Sequence, residues 1–181
     1  MNSTENDDKL LKLLAVSLVE NPRSNLKELA ESVGISKATL HRFCGTRDNL
    51  ETILMDKSKE YMENVICIAE NDYNDYRIGL KLLIKEHYEG KEFLRYSCNI
   101  QGCADDEYWK TYARAIDSFF LRAQKEGIFK IDFSVSVLTE LLLSVIYGVI
   151  DGERRGRVAP NFTLEMIENF FLHGVLNESI K

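Results

Sequence analysis

The side chains best equipped for chemistry in this sequence are cations and hydroxyls: Ser36, Lys37, Thr39, His41, Arg42 and, a little further on, Arg47. No carboxylate occurs between Glu31 and Asp48, so a locally basic segment stands inside a chain of net charge −6. Attraction to a polyanion depends on where charge sits, not on its sum. Enzymatic readings lack their parts. The three histidines (His41, His87, His173) and four cysteines (Cys44, Cys67, Cys98, Cys103) show neither CxxC pairing nor zinc-ligand spacing. There is no nucleophile elbow or phosphate loop, and His87, one residue after Glu86, points away from it on a helix. No catalytic residue, metal or cofactor is expected. Cys98 and Cys103 lie close in sequence, which permits a redox pair or two ordinary reduced thiols.

The elements that must position those cations are two short helices. Leu26, Leu29, Ala30 and Val33 share one face of the first, with Ser24 or Asn25 available to cap it. Gly34 supplies the left-handed conformation that ends a helix, and Ile35 plugs the corner. Ser36 caps the second helix, which turns Leu40 and Phe43 inward. Lys37, Ala38, Thr39, His41 and Arg42 are left facing outward. Residues 24–43 therefore read as a helix-turn-helix whose exposed face suits a phosphate-lined major groove. An ordinary helical hairpin with solvated cations satisfies the same spacing. The next residues favour DNA: Thr46 is a helix cap, and Arg47 stands at a helix start, where guanidinium and dipole both attract phosphate.

VGISKATLHRFCGTRDNLETIL resembles the signature of the tetracycline-repressor (TetR) family of bacterial transcription regulators, over roughly residues 24 to 56. The resemblance implies that Lys37, Ala38, Thr39 and Arg42 approach bases or nearby backbone. His41 stands where the family has a phosphate-contacting tyrosine, and Arg47 where it has a phosphate-binding lysine. Ser24 and Asn25 fall where hydroxyl residues cap the second helix near the DNA backbone. The segment ENPRSN departs from the family in lacking its usual phenylalanine and glycine before that cap.

Elsewhere apolar residues recur at three and four, and only 2 prolines punctuate 181 residues, so the whole chain reads as all-α with about nine helices. A first helix over 9–19 turns Leu10, Leu13, Leu14 and Leu18 inward until Asn21-Pro22 stops it. A long helix from Asp48 to about Ala69 joins a DNA-binding domain, 1–57, to a C-terminal effector-binding and dimerisation domain, 58–181. Further helices are expected near 76–88, 92–100, from about 105 to the stop at Gly127, 133–152 and 162–177. No stretch reaches the roughly 20 apolar residues that span a bilayer, and the acidic opening MNSTENDDKLLKL is unlike a signal peptide. A soluble cytoplasmic protein with no membrane partner is expected.

The helix over 133–152 confines its polar residues to one narrow stripe, so it needs cover on several sides. With the last helix it reads as half of a four-helix homodimer interface through Leu138, Leu142, Val145, Val149, Ile167, Phe170 and Phe171. A deeply buried helix in a monomer is the alternative. Tyr61, Tyr88, Phe93, Tyr96, Trp109, Tyr112 and Ile116 are candidates for a small-molecule effector pocket, or for ordinary core. The basic cluster ERRGR, 153–157, reads as a solvated loop or a second DNA contact. The expected function is a dimeric repressor released from a palindromic double-stranded operator by an effector. The alternative is a helix-turn-helix protein acting through a protein partner without an inducer.

Overall fold

The computed structural model describes residues 3–101 and 107–175. Among them the regular elements are helices: α1 (Ser3–Glu20), α2 (Leu26–Ser32), α3 (Lys37–Cys44), α4 (Arg47–Glu70), α5 (Tyr76–Glu89), α6 (Lys91–Gln101), α7 (Glu107–Lys125), α8 (Val135–Arg154) and α9 (Thr163–Val175), the last entered through a 3-10 turn at Pro160–Phe162. The all-α class is as expected. Cys103, Asp105, Asp106 and the C-terminal end of the last expected helix lie outside the described residues.

The chain forms two compact units, and the cut falls inside α4, after Tyr61. The first unit also takes in α6 from Glu92, which the sequence assigns to the C-terminal part; the second comprises Met62–Lys91 and the elements from α7 onward.

In the first unit, α1 and α4 flank the helix-turn-helix over an apolar cluster that includes Leu14, Leu18, Leu29, Leu40, Leu50 and Leu54. Leu13, expected inside, is 47% exposed, and Leu11 faces inward instead. Phe93 and Tyr96 of α6 belong to the same cluster. The Ser58 hydroxyl reaches the Phe93 carbonyl at 2.7 Å, and Tyr61 stacks on Phe93 with ring centroids 5.6 Å apart.

The second unit is built on aromatic contacts. Phe119 meets Tyr76 edge-on at 5.4 Å, and Phe120 meets Phe129 and Phe171 at 5.8 and 5.9 Å. Gly79 is a residue of close approach: an added Cβ would stand 2.6 Å from the Phe119 ring and 2.7 Å from that of Tyr73. Gly127 has a φ of 71°, the left-handed stop expected after α7. Arg154 and Arg155 of the ERRGR cluster both pair with Asp151.

α8 corrects one expectation. It is 20 residues long and holds an 18-residue stretch of mean hydropathy 1.6, so it is long and apolar enough to cross a bilayer, although Ser136, Thr139, Glu140 and Ser144 interrupt the run. The same properties mark a core helix, and Leu138, Leu142, Ile146 and Ile150 are buried within the second unit.

Candidate nucleic-acid interface

Local sequence dictates the geometry around α3. Asn25 caps α2, its Oδ1 accepting from the Lys27 and Glu28 amides at 2.9 and 3.2 Å, while Glu28 accepts from the Asn25 amide at 2.8 Å. This reciprocal box fixes the start of the first helix of the motif. Ser24 was the other candidate cap; it contributes its carbonyl instead. Gly34, at φ 75°, turns the chain, and the Ile35 amide closes the corner by donating to the Ala30 carbonyl at 2.9 Å. The Ser36 hydroxyl then accepts from the Thr39 amide at 3.0 Å and pairs with the Thr39 hydroxyl at 2.8 Å. Thr39 is therefore partly engaged at the helix start.

α3 buries Leu40 and Cys44. Ser36, Lys37, Ala38, His41 and Arg42 are exposed, with Thr39 half-buried. The α3 segment contains no carboxylate, so nothing on it offsets the charge of Lys37 and Arg42. Burial pushes the Cys44 thiol above its ordinary pKa, which leaves it protonated and unreactive. Gly45 makes a second left-handed turn, at φ 74°, that the sequence reading does not anticipate. Thr46 then accepts from the Asn49 amide at 3.1 Å and starts α4, as expected.

Arg47 is placed differently from a free phosphate ligand. Its Nε donates to Glu51 at 2.8 Å, and its two terminal nitrogens donate to the carbonyls of Pro22 and Ser24. Glu51 and those carbonyls are functional neighbours the sequence reading misses. The i,i+4 spacing of Arg47 and Glu51 was a legible signal; the reach back across 23 residues to Ser24 was not.

The seven effector-pocket candidates are divided between the units. Tyr61, Phe93 and Tyr96 pack in the first, with Phe93 and Tyr96 fully covered in its core. Burial, with a contribution from Glu51, pushes the Tyr96 hydroxyl up to about 12. Tyr88, Trp109, Tyr112 and Ile116 are in the second. There Trp109 stacks on Tyr112 at 4.9 Å. The Tyr112 hydroxyl is hydrogen-bonded to Nε2 of His87, whose Nδ1 donates to the Leu83 carbonyl at 2.6 Å. That tautomer follows from the carbonyl, which can only accept. Complete burial lowers the His87 pKa to about 4. The sequence reading misses His87 as a partner of Tyr112. Tyr88 donates to Glu153 at 2.9 Å, and Lys91 stands over its ring, 3.7 Å from the centroid.

The expected dimer residues also divide. Leu138, Leu142, Ile167 and Phe171 are buried in the protomer's own core and so are not available to a second chain. Val145 and Val149 are half-buried, and Phe170 is 70% exposed. The outward row is rotated by one residue from the expected one: Val137, Leu141, Ser144 and Gly148 on α8, with Met166 and Phe170 on α9. The cause is polar. Asp117 of α7 accepts from the hydroxyls of Thr139 and Ser136 at 2.6 and 3.2 Å, which pins the rotation of α8. Ser144, Val145, Gly148, Val149, Met166 and Phe170, with Val158, line a depression of about 390 Å³, and no atom stands within 4 Å of where a Gly148 Cβ would be.

These features can be set beside known proteins. A family model described as a winged helix-turn-helix DNA-binding domain matches residues 5–45. No strand follows α3 to form a wing among the described residues; α4 begins there instead. The HTH-type transcriptional regulator NfxB of Pseudomonas aeruginosa is 42% identical over 183 residues, with 98% of each chain covered. Two solved structures share the fold. The ketosteroid transcriptional regulator KstR2 of Mycobacterium tuberculosis has a TM-score of 0.70 at 14% identity, over 98% of this chain and 97% of that one. The TetR-family regulator PfmR of Thermus thermophilus has a TM-score of 0.59 at 16% identity, over 91% and 92%. With α1 to α3 arranged as a helix-turn-helix and a regulator matched along nearly its whole length, the chain belongs to the HTH-type DNA-binding transcriptional regulators, and its fold is that of TetR-family structures.

Proposed function

We propose that this regulator is a cytoplasmic repressor that binds a palindromic double-stranded operator as a homodimer and is released by a small-molecule effector. The observation that carries the DNA side is the exposed, carboxylate-free face of α3, with Lys37, Ala38, His41 and Arg42 turned to solvent. Such a face approaches a phosphate-lined groove without like-charge repulsion, and side chains on the recognition helix can then reach base edges. Ser36 and Thr39 hold the helix start, and Asn25 holds α2, so these residues orient the reading face.

The dimer rests on the α8–α9 surface. A protomer that exposes Val137, Leu141, Met166 and Phe170 together leaves apolar area in water that a second copy covers by two-fold symmetry. Gly148 admits a close helix approach there. Effector release is supported by the second unit's aromatic cluster, in which half-buried Trp109 stacks on buried Tyr112 and offers a ring face that suits an aromatic or amphipathic molecule. An effector favouring the DNA-free conformation by about 2–3 kcal/mol would weaken operator affinity roughly 30- to 150-fold.

The test is selection of duplexes from a random pool by the purified chain. The selected sequences should converge on an inverted repeat whose half-site centres lie about one helical turn, roughly 34–36 Å, or a multiple of it, apart. Convergence on a single asymmetric site, or on nothing at low salt, refutes the proposal.

A further inference from the structure

We infer that Arg47 is a positioning residue for DNA recognition: it clasps the turn between α1 and α2 to the start of α4 and so sets α2 and α3 in register, instead of neutralising a phosphate. This rests on the DNA-binding reading and deepens it.

The geometry argues for the clasp. A guanidinium presents its donors in a rigid planar fork. In Arg47 all three nitrogens are engaged: Nε with Glu51 at 2.8 Å, and the two others with the carbonyls of Ser24 and Pro22. Those carbonyls belong to the turn immediately before Asn25, whose side chain starts α2. The contact therefore joins the first residue of α4 to the residue just before the cap of the first motif helix, across 23 residues of sequence.

Electrostatics points the same way. A cation at a helix N-terminus faces the positive end of the macrodipole and is disfavoured there. Arg47 opens α4, so some other interaction must hold it, and two carbonyl dipoles with a carboxylate do so. Glu51 also neutralises much of the charge that a phosphate would seek. Only 30% of the Arg47 side chain remains exposed. The buried Tyr96 of α6, in the same unit, feels both charges: Glu51 raises the pKa of its hydroxyl and Arg47 lowers it.

The experiment compares Arg47→Ala, Arg47→Lys and Glu51→Gln in the full chain. Each is titrated with the duplex selected from the random pool and with a scrambled duplex of equal length, over a salt series. A clasp predicts that Arg47→Ala and Arg47→Lys both lose about tenfold affinity for the selected duplex and little for the scrambled one. The slope of log K against log salt should stay at the wild-type value, because no phosphate contact has gone. Glu51→Gln should lose affinity severalfold for the selected duplex, although it removes a negative charge from a DNA-binding unit.

A phosphate contact predicts the reverse: Arg47→Lys binds like wild type, Arg47→Ala loses equally on both duplexes with a slope lower by about one, and Glu51→Gln binds more tightly. Any of those results overturns the inference. Equal loss on both duplexes at an unchanged slope marks simple loss of folded protein and overturns it as well. Failure of the wild-type chain to bind either duplex is a different result, which refutes the DNA-binding reading itself.

Discussion

The outward face of α3 and the outward faces of α8 and α9 are both uncovered by the protomer, and their chemistry is opposite. On α3 the exposed positions are Lys37, Ala38, His41 and Arg42. On α8 and α9 they include Val137, Leu141, Met166 and Phe170. A cationic face keeps its hydration until it meets a stronger partner, so it can serve reversible binding tuned by salt. An apolar face of this kind is a standing cost in water and favours permanent cover. One surface therefore suits an exchangeable polyanion, and the other suits a second copy of the chain.

The largest expected effect strikes the apolar face. Phe170→Asp removes a ring that is 70% exposed in the protomer, so it should leave the protomer's fold intact. If that ring is buried between two chains, its loss costs about 3 kcal/mol per protomer and about 6 kcal/mol per dimer. The dimer dissociation constant should rise roughly 10⁴-fold. Sedimentation equilibrium at micromolar concentration checks this. A variant that stays dimeric breaks the contrast between the two faces, because the apolar surface would then have some other purpose.

The second effect separates the cores. His87 of the second unit is completely buried, and its pKa falls to about 4, against about 6.5 in an unfolded chain. Between those values the unfolded state binds more protons, so stability is full above pH 6.5 and declines as pH falls toward 4. The loss amounts to about 3 kcal/mol at the acid end of that window. Thermal melts from pH 7 to 4.5 should show the second unit losing stability steeply. His87→Gln should flatten that dependence; an unchanged pH profile in the variant removes His87 as its cause.

These contrasts also explain what could be read from sequence. Around α3 each decision is local and belongs to one residue type: a left-handed glycine at 34, a hydroxyl cap at 36, an amide cap at 25. Local rules therefore recover the motif. α8 has no such rule. Nearly all its rows are apolar, so its pattern does not say which row faces the protomer's own core. Asp117 decides that by binding Ser136 and Thr139 from another helix, contacts 19 and 22 residues away in sequence. The same long-range logic hides the packing of Phe93 and Tyr96 with the first unit, and the clasp of Arg47.

A smaller effect tests the cationic face. Lys37→Ala should weaken binding to the selected duplex by about 1–1.4 kcal/mol, roughly five- to tenfold, and leave the dimer untouched. Electrophoretic or fluorescence titration measures the first and sedimentation the second. Were the dimer to weaken in step, the two faces would not be independent.

The smallest effect is confined to the backbone of the motif. Gly34 holds φ at 75°, and nothing lies within 4 Å of where a Cβ would be. Gly34→Ala therefore meets no packing obstacle, and its cost is the left-handed conformation alone, about 1 kcal/mol. For a unit of this size that is a fall of roughly 4–8 °C in the melting temperature of the DNA-binding unit. The acid sensitivity set by His87 should be unaltered, since that group lies in the other unit. A cost well above 2 kcal/mol would mean that the turn also governs how α2 meets α3. Differential scanning calorimetry, read through the transition of the first unit, distinguishes the two.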